Sequence, residues 1–133
     1  MSDQPAAISR SFPADRGAPR VARQTVKEYL QGVKADPRTL ADVLLAVSEI
    51  VTNCVVHGYR ERPGGEVAIE ARYTDRKLML SIADRGGGMA PRTDSPGLGM
   101  GLPLVGRIAE RVDITAPPDG GTVVRMCFDL DRR

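Results

Sequence analysis

Polar side chains at helical spacing interrupt an otherwise apolar segment, TLADVLLAVSEIVTNCVVHGY. Glu49 and Asn53 are four residues apart, so they lie on one side of a helix, and Asp42 extends the same stripe. A carboxylate is a suitable acceptor for the proton of an attacking hydroxyl, and an amide oxygen is a suitable ligand for Mg²⁺. A solvent-exposed polar stripe has the same spacing, but Leu45 and Val56 border this one, which favours the lining of a cleft.

Two glycine-rich segments and one glycine turn follow this helix along the chain. Asp84 ends an apolar strand directly before the first segment, and Thr122 opens the last strand after the turn PPDGG. The glycines recur at every second position, at Gly86 and Gly88 in the first segment and at Gly97, Gly99 and Gly101 in the second. An aspartate before glycines also serves ordinary turn chemistry. The second segment, GLGMGL, leads into a helical pattern, and unblocked backbone N–H groups at a helix N-terminus bind phosphate well.

Familiar nucleotide loops and several function classes do not fit the sequence. No Gly-Lys-Ser/Thr run is present, which excludes a Walker loop, and the glycines come too late, after two antiparallel-looking strands, for a Rossmann fingerprint. The net charge of +2 is scattered, so no basic stripe for nucleic acid is predicted. Cys54 and Cys127 lie in apolar segments and are interpreted as buried small hydrophobes. With no long apolar leader or membrane-length run recognised, a cytoplasmic protein without membrane contact is expected.

The remaining segments predict an α/β (α+β) two-layer sandwich, with three helices packed on one face of a mixed, mostly antiparallel sheet. Apolar spacing predicts helices over residues 18–33, from an Asp36 cap to Gly58, and from Leu102 to about Arg111. Period-two alternation predicts strands over AISRSF, EVAIEARYT and KLMLSIAD, the last two joined by a tight Asp75-Arg76 turn, and then over VDITA and TVVRMCFDL. No internal repeat or long linker divides the chain, so one domain over residues 1–133, with its core at about 18–130, is predicted.

The four motifs in this order resemble the Asn box and the three glycine boxes of the gyrase, Hsp90, histidine kinase and MutL type ATPases, with their Bergerat fold. The resemblance covers nearly the whole chain. Within that superfamily, AVSEIVTNCVVHGY and GLGMGLPLVGRIAERVDI are most similar to the small anti-sigma factor serine/threonine-protein kinases. An autophosphorylating histidine kinase is not expected, because the single histidine, His57, lies beside the Asn box rather than on a separate dimerisation helix.

The resemblance implies ATP and Mg²⁺ as cofactors and assigns a role to each box. Asn53 would hold the Mg²⁺ ion, Glu49 would accept the proton of an incoming serine hydroxyl, and Asp84 would accept a hydrogen bond from the adenine amino group with support from Thr122. The remaining nucleotide contacts would come from the glycine boxes, at Gly86, Gly88, Gly97, Gly99, Met100, Gly101 and Leu102. The short segment MAPRTDSP would form a lid over the nucleotide, in which Arg92 is interpreted as a solvated loop residue, and His57 as a packing or capping residue.

Three functions remain open from the sequence. The resemblance favours a serine kinase that phosphorylates a STAS-domain anti-sigma-factor antagonist and sequesters an RNA polymerase sigma factor, as a homodimer. A related switch kinase that acts on a stress-signalling scaffold has a similar GLGMGLPLVGR segment. A non-catalytic, ATP-gated binding module would carry the same nucleotide boxes, and only a phosphate-transfer assay separates it from the kinases.

Overall fold

Five strands and three helices make up the part of the chain that the computed structural model describes, residues 7–58, 65–84, 103–116 and 121–131. The helices are α1 (Ala18–Tyr29), α2 (Pro37–Asn53) and α3 (residues 103–108), and a π-helical turn, Cys54–Gly58, extends α2. The strands are β1 (Ile8–Pro13), β2 (Glu66–Thr74), β3 (Lys77–Asp84), β4 (Arg111–Thr115) and β5 (Thr122–Asp129).

The strands form one sheet in the order β1-β2-β3-β5-β4, and all four pairings are antiparallel. The sheet is therefore more uniform than the mixed, mostly antiparallel sheet that the sequence predicted. The predicted tight turn between β2 and β3 is confirmed, with positive φ angles of 52° at Asp75 and 65° at Arg76. A two-residue turn in which both residues have positive φ matches the right-handed twist of the two strands that it joins. The turn fixes the register of this hairpin, which pairs Asp84 with Val67.

A single apolar core lies between the helices and one face of the sheet. Alternate residues of β3, Leu78, Leu80 and Ile82, are buried on this face, whereas Met79 points to the opposite, open face and is exposed. The same core takes in Ala22 and Val26 of α1, Val47 and Ile50 of α2, and Val105 of α3. The two-layer α/β architecture predicted from the sequence is confirmed.

Each helix ends earlier than its apolar pattern predicted. α1 ends at Tyr29 rather than at Val33, because the N–H groups of Leu30 and Gln31 bond back to the last turn and Gly32 adopts a positive φ of 96°. The α-helical hydrogen bonding of α2 ends at Asn53, and the predicted stop at Gly58 is the end of the π-helical turn. α3 ends at residue 108, since the Glu110 N–H donates to the Cys127 carbonyl and starts the β4–β5 pairing.

The stretch Pro37–Val56 is long and apolar enough to cross a membrane, with a mean hydropathy of 1.7 over its most apolar window. The expectation that no run reaches this length is therefore wrong on length and composition. In the structure the stretch is the central core helix: Val43, Val47, Ile50 and Val51 are fully buried against the sheet and the other helices. The apolar character of α2 is accounted for by packing within this domain, as is common for core helices.

Asp36 caps the N-terminus of α2, as its sequence position predicted. Its Oδ2 accepts a hydrogen bond from the Thr39 backbone N–H at 3.1 Å and one from the Thr39 hydroxyl at 3.3 Å. Asp36→Ala removes both bonds, so we expect the free energy of unfolding to fall by about 1 kcal/mol. Urea denaturation measures this change. Asp15→Ala, which removes an exposed turn bond to the Gly17 N–H, is the matched control with a smaller expected loss.

Candidate functional site

Asp84 and Thr122 face each other on neighbouring strands. Asp84 is the last residue of β3 and Thr122 the first of β5, and the strand register pairs them directly. Their side chains lie on the helix-facing side of the sheet, in line with Ile82 and Val124. Asp84 is 3% and Thr122 1% exposed, and within the described ranges they are the only buried residues with polar or charged side chains. Burying a carboxylate and a hydroxyl costs free energy that neighbouring polar groups must offset, so this end of the sheet is the candidate site.

The C-terminal end of α2 lies next to this pair. Burial and the nearby Asp84 carboxylate raise the pKa of the Cys54 thiol to about 12, so Cys54 lies close to Asp84 and stays protonated. Asn53 immediately precedes Cys54, and Glu49 lies one helical turn earlier, with both side chains half-buried. Within the described part of the chain, no side chain forms an ion pair or hydrogen bond with the Glu49 carboxylate. The helix therefore presents a free carboxylate and an amide at the same end of the molecule as Asp84 and Thr122.

Several residues of the sequence prediction stand apart from this cluster or outside the described ranges. Asp42 lines a separate depression of about 280 Å³ with Arg38 and Arg107, near the other end of α2. Leu45 and Val56, which border the polar stripe, are 41% and 54% exposed. The glycine-box residues fall outside the described residues, at Gly86, Gly88, Gly97, Gly99, Met100, Gly101 and Leu102, as does Arg92. Both cysteines are buried and free, as predicted.

A depression of about 450 Å³ lies on the open face of the sheet around Glu70, Met79 and Arg125. It is on the opposite side of the sheet from Asp84, and it contains none of the predicted site residues. This depression is therefore separate from the candidate site.

Two buried polar atoms at the site have no hydrogen-bond partner among the described residues, the Thr122 hydroxyl oxygen and the Asn53 side-chain nitrogen. An unsatisfied buried polar atom costs about 1–3 kcal/mol, a cost that a bound ligand with matching groups would remove. An adenine amino group fits the buried carboxylate and hydroxyl, and phosphate oxygens fit the amide. Within the described ranges no group of three or more His, Cys, Asp or Glu side chains is placed so that it could hold a metal ion. Mg²⁺ fits Asn53 all the same, because this ion commonly takes one protein oxygen and fills its octahedron with phosphate oxygens and water.

Thr122→Val tests whether the buried hydroxyl serves a ligand or the fold. Valine has nearly the same shape and removes the unpartnered oxygen, so we expect the nucleotide-free protein to unfold with a free energy about 1 kcal/mol higher. ATP affinity should instead fall about tenfold, since a hydrogen bond in the complex is lost. Urea denaturation and isothermal titration calorimetry measure the two effects. Thr74→Val, at the exposed end of β2, is the matched control and should change neither. A destabilised Thr122→Val protein would show that the hydroxyl has a structural role.

Comparisons with known proteins agree with this fold. A family model described as histidine kinase-like ATPase domain matches residues 12–128. The anti-sigma F factor of Shouchella clausii is 32% identical over 114 residues, which cover 77% of this chain and 78% of that protein. The anti-sigma F factor of Bacillus subtilis is 30% identical over 122 residues, 84% of each chain.

A solved structure has a similar fold. The crystal structure of the RsbU and RsbW domains of a Mycobacterium tuberculosis protein superposes with a TM-score of 0.76 at 26% identity, covering 96% of this chain and 33% of that one. This chain thus spans about a third of that larger protein. The fold and the family model together define a domain of the ATPase type. The chain belongs to the histidine kinase-like ATPase domain family, and within it is similar to the anti-sigma F factors.

Proposed function

We propose that this chain is an ATP-dependent protein serine kinase of the anti-sigma factor type. Its substrate would be a STAS-domain anti-sigma-factor antagonist, and it would also sequester an RNA polymerase sigma factor. The observation that carries the proposal is the buried Asp84–Thr122 pair beside the end of α2, where Glu49 and Asn53 lie one turn apart. The names of its relatives support the anti-sigma part of the proposal.

The proposed chemistry divides among four side chains. Asp84 accepts a hydrogen bond from the adenine amino group, and Thr122 supports this contact, so the two orient the base. Asn53 holds Mg²⁺, which neutralises phosphate charge when bound. Glu49 accepts the proton of the attacking serine hydroxyl. Phosphoryl transfer needs positioning and charge neutralisation more than covalent catalysis, so a carboxylate one turn from the metal ligand is sufficient.

The site residues outside the described ranges remain part of the proposal. The glycine boxes would cradle the phosphates through backbone N–H groups, because glycine leaves these groups open to an anion. We also propose a single domain with its core at about residues 18–130, a cytoplasmic location and a homodimer. Light scattering of the purified chain with and without ATP tests the homodimer.

A single-turnover assay tests the kinase proposal. The chain is mixed with ATP labelled at the γ-phosphate and with each purified STAS-domain protein of the same organism, and the labelled product is hydrolysed to identify the phosphorylated residue. We expect transfer to serine on one antagonist. Phosphothreonine would correct the residue specificity, and label on a scaffold protein would indicate a switch kinase. Stable ATP-dependent binding without transfer would instead show a non-catalytic binding module. A parallel gel-filtration experiment with the sigma factors of that organism tests sequestration.

A further inference from the structure

A depression of about 280 Å³ lies between the first turns of α2 and the last turn of α3. Arg38 and Asp42 of α2 line one side of it, Arg107 of α3 lines another, and the end of β5 completes the lining. Along α2, Arg38 is about 22 Å from Asn53, at a rise of about 1.5 Å per residue. The depression is therefore a separate place on the molecule from the candidate nucleotide site.

Backbone hydrogen bonds fix both helices to the end of β5. The N–H group of Asp36, directly before α2, donates to the Leu130 carbonyl at 3.2 Å. The N–H group of Glu110, just after α3, donates to the Cys127 carbonyl at 2.8 Å. The lining of the depression is therefore formed without a ligand, as in most small-molecule sites, and a ligand would not have to order it.

Two acidic side chains of the lining, Glu110 and Asp129, already have a cationic partner. The Lys77 Nζ atom donates to both Glu110 carboxylate oxygens, at 2.8 and 2.6 Å. The same Nζ atom lies 3.6 Å from the Asp129 carboxylate. One lysine thus partly neutralises both acids, and neither of them requires a charged group on a ligand.

The other charged side chains of the lining are Arg38, Asp42 and Arg107. Within the described residues, these three form no ion pair and no side-chain hydrogen bond. Arg38 and Asp42 are four residues apart on α2, but a cation nearer the N-terminus than its acid is the less favourable order for a helical pair. Asp42 is also half-buried, so its carboxylate is partly withdrawn from water. The depression therefore presents two unpaired guanidinium groups and one unpaired acceptor.

We propose that this depression binds a small phosphate monoester that carries a hydroxyl group. The three terminal oxygens of a phosphate match two guanidinium groups, whereas one guanidinium already satisfies a carboxylate. The Asp42 carboxylate only accepts hydrogen bonds, and a hydroxyl group on the ligand supplies the donor. Ile108 and Ala109 offer apolar contact to the carbon skeleton, and the volume, near the lower end for small-molecule sites, restricts that skeleton to a few atoms. This inference does not rest on the proposed kinase function.

An NMR titration of the full chain at constant ionic strength tests the site, with glycerol 3-phosphate and methyl phosphate as probes. We expect glycerol 3-phosphate to shift the backbone amide signals of Thr39, Asp42 and Arg107, while the signal of Asn53 stays in place. Methyl phosphate has the same charge but no hydroxyl group. Its dissociation constant should therefore be about tenfold higher, because the hydrogen bond to Asp42 is missing.

Three variants assign the contacts of the ligand. Arg38→Gln and Arg107→Gln each remove one guanidinium group and should raise the dissociation constant of glycerol 3-phosphate about tenfold. Asp42→Leu removes both the acceptor and a charge that repels phosphate, so methyl phosphate should bind more tightly and the preference for glycerol 3-phosphate should be lost. Arg72→Gln, at an exposed position on the opposite face of the sheet, is the matched control and should change neither probe. Urea denaturation verifies that each variant folds.

The outcomes decide between this site and simpler explanations. Shifts at Thr39, Asp42 and Arg107 with the expected order of affinities would support the site. Equal affinities for the two probes, unaffected by Asp42→Leu, would reveal attraction of any anion and overturn the hydroxylated ligand. An absence of these shifts, or wild-type affinity in both arginine variants, would overturn the site itself. Shifts centred on Asn53 would also overturn it, because the phosphate would then bind at the nucleotide site.

Discussion

Glu49→Ala is expected to reduce phosphate transfer by about 10²–10⁴-fold while ATP affinity stays close to that of the wild type. The substitution removes the carboxylate proposed to accept the serine proton, and it leaves Asp84, Thr122 and Asn53 in place to hold the nucleotide. The fold should tolerate the change. No described side chain pairs with the Glu49 carboxylate, and alanine has a higher helix propensity than glutamate. Single-turnover transfer with labelled ATP and calorimetric titration of ATP measure the two quantities.

Two further variants test whether a loss of transfer in Glu49→Ala is due to the missing carboxylate at this position. Glu49→Gln keeps the size and polarity of the side chain but has no basic carboxylate, so it should lose transfer as Glu49→Ala does. Glu28→Ala removes a carboxylate from α1, where its partner is the exposed Gln24 amide at 2.9 Å, and should leave transfer unchanged. Wild-type transfer by Glu49→Gln would show that this residue is not the proton acceptor. Loss of both transfer and ATP binding in Glu49→Ala would place the residue in the nucleotide site instead.

The sequence predicted the strands of the sheet more accurately than the helix ends, because strand alternation and helical apolar spacing differ in how sharply they define an element. In β2 and β3, period-two alternation and the Asp75-Arg76 turn fix which face each residue joins, because a slip of one residue would invert every side chain. At the end of α2, α-helical and π-helical backbones differ by one residue in hydrogen-bond spacing. Apolar spacing alone does not distinguish the two, so the change after Asn53 was not visible in the sequence.

The candidate site was likewise predictable in some of its features and not in others. That Asp84 and Thr122 occupy strand ends was predictable, and the register that joins them follows from the hairpin and the β3–β5 pairing. The Arg23–Ser48 bond was not predicted, because the two residues belong to different helices and no local pattern links them. The degree of exposure of Leu45 and Val56 was not predicted either, since an apolar residue gives the same signal whether it is buried in the core or lines a cleft or a free surface.

Asp84→Asn is expected to weaken ATP binding about 10- to 100-fold, the cost of losing a charged hydrogen-bond partner of about 1.5–3 kcal/mol. Adenine is common to ATP and ADP, so both nucleotides should lose affinity by the same factor in calorimetric titrations. Asp113→Asn makes the same replacement at an exposed position of β4 and should have no effect. Unchanged ATP affinity in Asp84→Asn would contradict the adenine assignment.

A nucleotide with a different base tests the proposed contact between Asp84 and the adenine amino group directly. Inosine triphosphate carries a carbonyl oxygen where ATP has its amino group, so the Asp84 carboxylate should reject it, whereas an asparagine amide at this position can donate a hydrogen bond to that oxygen. We therefore expect Asp84→Asn to reduce the preference for ATP over inosine triphosphate by more than it changes the affinity for either alone.

The pKa of the Cys54 thiol provides a second test of where the Asp84 carboxylate lies. Burial and the Asp84 charge raise this pKa. It should therefore fall in Asp84→Asn but stay above its ordinary value, since the burial remains. A pH titration of the thiol in a Cys127→Ser background measures this fall. A lowered Cys54 pKa with an unaltered nucleotide preference would place Asp84 beside Cys54 but away from the adenine.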